Sequence, residues 1–461
     1  MEGQDLTKGD IRKQIWSLAW PMMLSVFFYT LYNIVDAFWV SKISAEAIAA
    51  VSISQITLFL MAALSMGITI GSGVLMAMEI GAKKIKEAEK ILGQSFVLSG
   101  IAGIFFTIIS LIFRNELLVA SGAAGAIFAP AMEYFIVSAA GSVLFFILIS
   151  IMFAFNSQGD TLTLTKLFAL STLINLILDP IMIFGYFGIP AFGISGAAYA
   201  TLISQAVFIV IAIRSLMGKH RMIRFHFNNL ILNWESVKKV LVIGVPASLT
   251  QVINPIGIAA LTFITSLGFK EAGAIAFSLG FRIEFFAFLP AIGFGFAAMA
   301  MIGQNIGAGN LKRAKEIFNT ALKYSFGAAT AIGLIAALFA GYLIAVFTTD
   351  PVVTDYAVWY TWTVALTYGF LAAAMVEANA FQAMGRSWPG FWIFFLRFIG
   401  VAIPLSFLTT QILGFSILGI WLSLVAGNVI SAIVGYVWIR KNLEKFDPKH
   451  ASAHAMTEVR A

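Results

Sequence analysis

The fold class this sequence predicts is an all-α polytopic membrane protein, with twelve transmembrane helices in two homologous six-helix bundles. Three observations predict it. Hydrophobic residues make up 60% of the 461 and charged residues only 11%, with a mean hydropathy of +0.93, where soluble domains carry roughly 25% charged residues. The apolar residues gather into runs of the length a bilayer requires. The second half of the chain repeats the first.

A spanning helix needs about 20 apolar residues. Segments 1 to 6 fall near residues 14–40, 47–73, 91–113, 126–154, 163–186 and 194–214. Segments 7 to 12 fall near 240–267, 273–302, 317–347, 354–383, 391–410 and 416–439. Segment 1, preceded by Lys8, Arg12 and Lys13, imitates a signal peptide. Its apolar run continues to about Val40 without a small-residue cleavage pattern, so it reads as a retained first helix. After segment 2 comes EIGAKKIKEA (Glu79–Ala88), and after segment 8 comes NIGAGNLKRA (Asn305–Ala314), at an offset of 226. Gly159 and Gly385 share that offset, while Pro21/Pro246, Pro180/Pro404 and FGISG/FSILG follow in the same order at 223 to 225. Six is even, so the two halves have the same orientation, as in a parallel repeat. The expected division is a first bundle over 1–218, a polar linker over 219–239 containing HRMIRFHFNN, and a second bundle over 240–461 with a polar tail.

With the N-terminus on the cytoplasmic side, 24 of the 29 Lys and Arg residues fall in inner segments, including Lys449 and Arg460 of the tail. Only Lys42, Arg114 and Lys270 are outside, and Arg282 and Arg397 lie within spans. This positive-inside pattern predicts a multi-pass protein of the cell membrane with both termini cytoplasmic. It also accounts for the net charge of +7 without a nucleic-acid partner. The absence of cysteine excludes disulfides and thiol chemistry, and the four histidines (His220, His226, His450, His454) lie in linker or tail. No Walker loop, HExxH or nucleophile motif occurs, so neither ATP-driven transport nor an enzyme is expected, and no cofactor.

Two stretches break the apolar pattern with acids: YNIVDAFWV (Tyr32–Val40) and LINLILDPIMIF (Leu173–Phe184). A charge at mid-membrane costs at least about 2.5–3.5 kcal/mol and normally faces a cavity or a partner. Segments 1 and 5 both run outward, and at 1.5 Å per residue Asp36 and Asp179 sit about 9–12 Å below the outer boundary. Tyr134 and Thr201, on the inward-running segments 4 and 6, reach a similar depth. Asn175 lies one turn from Asp179, and Asn33 one turn from Asp36. Carboxylates taken out of water and placed side by side favour the neutral form, which is how such groups become proton carriers near neutrality. The same oxygens, ionised, would hold Na⁺ at Asp36, Asp179 and Asn175. Helix packing through Asn–Asp hydrogen bonds is the alternative, but a neutral amide would serve that without the charge. The second-half counterparts of Asp36 and Asp179 are Leu261 and Ile403, so the fold itself does not require acids there. Pro21 and Pro180 permit kinks beside these acids.

In the second half, Glu377 and Arg397, nine residues before and eleven after Arg386, share a depth near the cytoplasmic side and are expected to form a buried pair. Arg282 is a candidate contact for Asp36, and it does not face Glu284, two residues away. The glycine pairs Gly67/Gly71 and Gly303/Gly307 read as close helix packing. Some of the 43 Phe and 17 Met would suit a cavity for varied hydrophobic compounds.

The two six-helix repeats, the paired IGA-x₃-K-x-A segments, the proline and aspartate of segment 1 and NLILDP in segment 5 together resemble the multidrug and toxic compound extrusion (MATE) family. The similarity is greatest to its prokaryotic DNA-damage-inducible-F-like subgroup and spans essentially the whole chain. The resemblance implies a V-shaped pair of bundles. It also implies a cation-coupled antiporter exporting amphipathic, often cationic drugs by alternating access, expected as a monomer. It carries cation coupling onto Asp36 and Asp179, makes Asn175, Tyr134 and Thr201 site partners, and makes Pro21 the bend. The family's sodium-coupled branch has acids in helices 7 and 10 of the second half; here only Glu377 remains, in helix 10, which favours H⁺ over Na⁺. A related lipid-linked oligosaccharide flippase is the nearest alternative, and a polytopic membrane enzyme a distant one.

Overall fold

The structure, a computed structural model, describes residues 3–445. Lys449, Arg460, His450 and His454 lie outside the described residues. The first half contains α1 (Ile11–Ser41), α2 (Ala45–Gly81), α3 (Ile85–Ile112), the short α4 (Arg114–Ala120), α5 (Phe128–Ala140), α6 (Ser142–Ser157), α7 (Thr161–Phe184) and α8 (Ile194–Leu216). After the linker come α9 (Trp234–Gly307), α10 (Leu311–Leu338), α11 (Ala340–Ala345), α12 (Pro351–Val364), α13 (Tyr368–Ala383), α14 (Trp388–Phe395), α15 (Ile403–Phe407) and α16 (Leu418–Lys445). Residues Leu396–Ala402 and Leu408–Ile412, on either side of α15, are π-helical.

Local chemistry sets the helix ends. Asp10 accepts from the Lys13 backbone N–H at 2.9 Å, which satisfies a free donor of the first turn of α1 and holds the Asp10 carboxyl below its usual range. Ser44 caps α2 through Ala47 N–H at 3.1 Å, and Asp160 caps α7 through Thr163 N–H at 3.1 Å. Gly185, at φ +79°, ends α7 in the left-handed conformation that a side chain would oppose.

Ten helical stretches among the described residues are long and apolar enough to cross a membrane, and α5–α6, bent by 51° at Gly141, adds one. The 74 residues of α9 would extend about 110 Å, far beyond a hydrocarbon core of about 30 Å. Its helix breaks at Phe269–Lys270, where Lys270 takes φ +54°, so α9 supplies two crossings. The total is the expected twelve.

Packing divides the chain into two units. The first takes Leu24–Gly244 and the residues up to Asp5; the second takes Leu6–Met23 and the residues from Val245 onward. This corrects the division at 218 and 240: the first turns of α1 belong with the second half, and the linker and the first turns of α9 belong with the first. Hydropathy marks where a helix leaves the membrane, not what it packs against. In the second unit Leu6 is fully buried, its N–H donating to Gln304 Oε1 and its carbonyl accepting from Asn305 Nδ2, both at 3.0 Å. Trp16 meets Phe294 edge-on at 5.1 Å. In the first unit the linker is held by Gln94, whose Nε2 donates to the Asn229 and Ile231 carbonyls at 3.0 and 2.8 Å while its Oε1 accepts from Asn233 N–H at 2.8 Å. Arg221 pairs with Asp160 beneath α7.

The exchange follows the repeat. A Cβ on Gly244 would stand 2.8 Å from the Gly67 carbonyl oxygen, and one on Gly293 would stand 2.9 Å from the Ala19 carbonyl oxygen. Gly67/Gly293 and Ala19/Gly244 are partners at offsets of 226 and 225. Each half therefore seats the other's first helix against backbone, where no side chain fits, and Gly67 acts as the packing residue its spacing suggests. Gly244→Ala is expected to destabilise by about 1–3 kcal/mol through overpacking. Gly100→Ala, with nothing within 4 Å of its Cβ, is neutral or gains up to about 1 kcal/mol of helix propensity. In detergent, the melting midpoint should fall for Gly244→Ala and hold or rise for Gly100→Ala.

Candidate functional site

The first unit brings together the two acids of segments 1 and 5. Helices α1 and α7 run parallel, and small polar side chains fix their register. Ser25 and Thr165 hydroxyls meet at 2.9 Å, Thr172 Oγ1 donates to the Phe28 carbonyl at 3.1 Å, and further along Asn175 Nδ2 reaches Asp36 Oδ1 at 3.5 Å. The same Nδ2 donates to Asp179 Oδ1 at 3.0 Å, one turn along its own helix. Asp36 is 2% exposed, and Asp179 and Asn175 are fully buried. The two carboxyls lie within hydrogen-bonding reach of each other. Asp179 Oδ2 and Asn175 Oδ1 are buried with no hydrogen-bond partner. Pro180, immediately after Asp179, cannot donate to the Leu176 carbonyl, which leaves a further backbone acceptor in the same helix without its usual bond.

Two tyrosines flank this pair. Tyr134, on α5, is 4% exposed and close enough to feel the charge of both aspartates. Tyr32 lies one turn before Asp36 on α1, and its hydroxyl faces Thr201 on α8 without a well-formed hydrogen bond to it. Tyr32 was missed in the sequence, although the signal was available: it precedes Asp36 by four residues, the closer match to one helical turn. Asn33, expected in the site at a spacing of three, is not part of it. Its Nδ2 donates to the Tyr29 carbonyl of its own helix at 2.8 Å, and its spacing of three sets it about 60° from Asp36 around the helix, on the side opposite Tyr32.

The second-half expectations need a larger correction. Arg397 does not pair with Glu377 or lie free: its Nη2 is 3.2 Å from Glu284 Oε1. Glu377, 1% exposed, turns its Oε2 towards Gly435 of α16 and has no partner for that oxygen. Arg386 donates to Asn442 Oδ1 at 2.7 Å. Arg282 is exposed and Glu284 buried, so the two do point apart as their spacing requires. The counterparts of Asp36 and Asp179 behave as apolar positions, with Leu261 fully buried and Ile403 packed against the core.

Chemically, the first-unit cluster is a set of hard oxygen ligands with one shared amide donor. Two carboxyls within reach of each other need a proton or a cation between them. The donors suit H⁺ or Na⁺ rather than a transition metal, which prefers imidazole or thiolate. No group of three or more His, Cys, Asp or Glu that could hold a metal occurs among the described residues.

Comparison with known proteins reaches the same region of sequence space as the geometry. The chain is 27% identical over 434 residues to the FAD transporter of Shewanella oneidensis, covering 94% of this chain and 95% of that one. It is 26% identical over 417 residues to the probable multidrug resistance protein NorM of Thermotoga maritima, covering 90% and 89%. Among solved structures, the outward-facing form of a multidrug resistance MATE family transporter of the MOP superfamily superposes with a TM-score of 0.89 at 26% identity, over 96% of this chain and 98% of that one. The MatE family profile matches residues 21–181 and 246–408, one block in each half, opening at the paired prolines Pro21 and Pro246. With most of its length and both of its repeats accounted for in this way, the chain belongs to the MatE family of multidrug efflux transporters.

Proposed function

We propose that this protein is an H⁺-coupled antiporter that exports amphipathic, often cationic organic compounds by alternating access, with Asp36 and Asp179 as the exchanging acids. One observation carries the reading: two buried carboxyls in mutual reach, with acceptor oxygens of Asp179 and Asn175 left unpartnered and no basic side chain among the described residues bonded to them. Protonated once, the pair shares a hydrogen bond and Asn175 serves both acids. Deprotonated, two like charges face each other in a dry layer, and the pair must separate, admit water or take another cation. Separation moves α1 against α7. Pro21 lets α1 bend, and the helix changes units only two residues later, between Met23 and Leu24. Na⁺ is the other small cation the oxygens suit. The flippase alternative calls for several free intramembrane cations, and of the two basic residues within spans Arg397 is neutralised by Glu284. The relatives' names, a flavin dinucleotide carrier and multidrug exporters, support a wide organic cargo range.

Reconstituted in liposomes, the protein should extrude an organic cation such as ethidium when a proton gradient is imposed, and less or not at all with a sodium gradient alone. Asp36→Asn should abolish most of the proton-driven efflux, because an amide cannot take up and release the proton that a carboxyl carries. Efflux that is indifferent to both gradients, or unchanged in Asp36→Asn, contradicts the reading. Substituting FAD for ethidium in the same vesicles tests the cargo range separately from the coupling.

The cysteine-free chain gives a direct test of sidedness. Lys42→Cys should react with an impermeant maleimide added outside intact cells. Lys86→Cys should react only after the membrane is opened. The reverse pattern places the termini outside.

A further inference from the structure

The second unit holds a charged centre of its own, built from four helical elements. Glu284 of α9 and Arg397 of the π-helical turn after α14 form an ion pair at 3.2 Å, with side chains 2% and 3% exposed. Tyr360 Oη, from α12, donates to the other carboxylate oxygen at 2.6 Å. Arg397 Nε donates to Asn428 Oδ1 of α16 at 2.7 Å, and Asn428 Nδ2 to Thr367 Oγ1 at 2.8 Å. Thr367 Oγ1 in turn donates to the Val364 carbonyl at 2.7 Å. The guanidinium lies over the Phe398 ring at 4.5 Å, and the Tyr360 ring packs edge-on to Trp421 at 5.0 Å. Tyr368 is fully buried, close enough to feel the Glu284 charge, and its hydroxyl has no partner.

Set against the first unit, this centre solves the same problem differently. Tyr134 and Tyr360 are repeat partners at an offset of 226. Each lies on the helix just before the break of its fourth segment, and each sits beside a buried acid. In the first unit the acids have only an amide donor and leave oxygens open. In the second, both oxygens of the acid are filled, one by a hydroxyl and one by a guanidinium. A guanidinium keeps its charge at any physiological pH and cannot leave its chain.

We propose that Arg397 is a tethered cation, its guanidinium standing where a small monovalent cation would otherwise bind to Glu284 and Asn428. The second unit thereby carries a latent H⁺ or Na⁺ site that its own side chain keeps occupied and out of exchange. This holds whatever the first-unit acids do, and the test removes them from the measurement.

The parent for the test is full-length protein carrying Asp36→Asn and Asp179→Asn, purified in detergent. Its melting midpoint is measured with Na⁺ against choline at constant ionic strength, and in mildly acidic against mildly alkaline buffer. The parent should show no Na⁺ response. Adding Arg397→Gln should create a response to Na⁺, to acid or to both, of several degrees, because a ligand that binds only the folded state stabilises it in proportion to occupancy. The Na⁺ arm and the acid arm tell which cation the vacated site takes. Adding Glu284→Gln to that chain should abolish the new response, which a merely structural ion pair would have no reason to create. Should Arg397→Gln disrupt folding, it should be recovered when expressed and purified with Na⁺ or in acidic buffer. No new response in Arg397→Gln, a response that survives Glu284→Gln, or failure to recover the chain under either condition overturns the proposal.

Discussion

The constraint on which this molecule depends is that a carboxyl removed from water must have its charge cancelled. In the first unit no basic side chain among the described residues pairs with the acids to cancel it. Asp36 and Asp179 share one amide, and Asp179 Oδ2 and Asn175 Oδ1 are buried with no partner. The contact exists because α1 and α7 run in parallel at a register fixed by Ser25–Thr165 and Thr172–Phe28, small side chains that let the helices approach. A slip of one residue would turn either acid by 100° and dissolve the cluster. Helix packing here is thus inseparable from chemistry: the hydroxyls that zip the two helices also decide whether two acids meet.

The second unit shows what the fold does when the charge is cancelled from within. Glu284 is as deeply buried as Asp36, yet both of its oxygens are bonded, and the chain of bonds continues through Arg397 and Asn428 to Thr367. Breaking such a pair by removing one partner leaves an uncompensated charge and is strongly unfavourable. Duplication gave two bundles with equivalent helices and an equivalent tyrosine. In one the acids keep an unpartnered oxygen, and in the other both oxygens of the acid are bonded.

How much of this was legible follows from what each inference needed. The twelve spans, the repeat, and the meeting of Asp36, Asp179 and Asn175 required only hydropathy, offsets and helical periodicity. Tyr32 was legible by the same rule but was passed over for Asn33, whose chemistry looked more apt at the wrong phase. The Glu284–Arg397 pair was not legible. Its partners are 113 residues apart, and the π-helical turn at Leu396–Ala402 alters the phase of Arg397 relative to any straight helix drawn from the sequence. Depth alone made Glu377 look like the natural partner, yet depth says nothing about which way a side chain faces. The break at Phe269–Lys270 was expected from span length, although no Gly or Pro occupies those two positions, so its left-handed residue was hidden.

The exchange of first helices was hidden for a related reason, and it explains the placement of the prolines. α1 passes from the second unit to the first between Met23 and Leu24, two residues after Pro21; α9 passes from the first to the second between Gly244 and Val245, one residue before Pro246. Each proline lacks the N–H that would bond the carbonyl four residues back, Ser17 and Val242 respectively, and so softens the helix within one turn of the point where its allegiance changes. A continuous, fully bonded helix anchored in both units would transmit any bend as strain into the packed Gly67–Gly244 and Ala19–Gly293 contacts, where a backbone carbonyl stands too close to yield. Proline at each crossing removes one of those helical bonds. The repeat has kept this arrangement in both halves while dispensing with the acids in one. Softness at the crossing points therefore goes with the two-unit architecture, whereas the acid pair, replaced by Leu261 and Ile403 in the second half, does not.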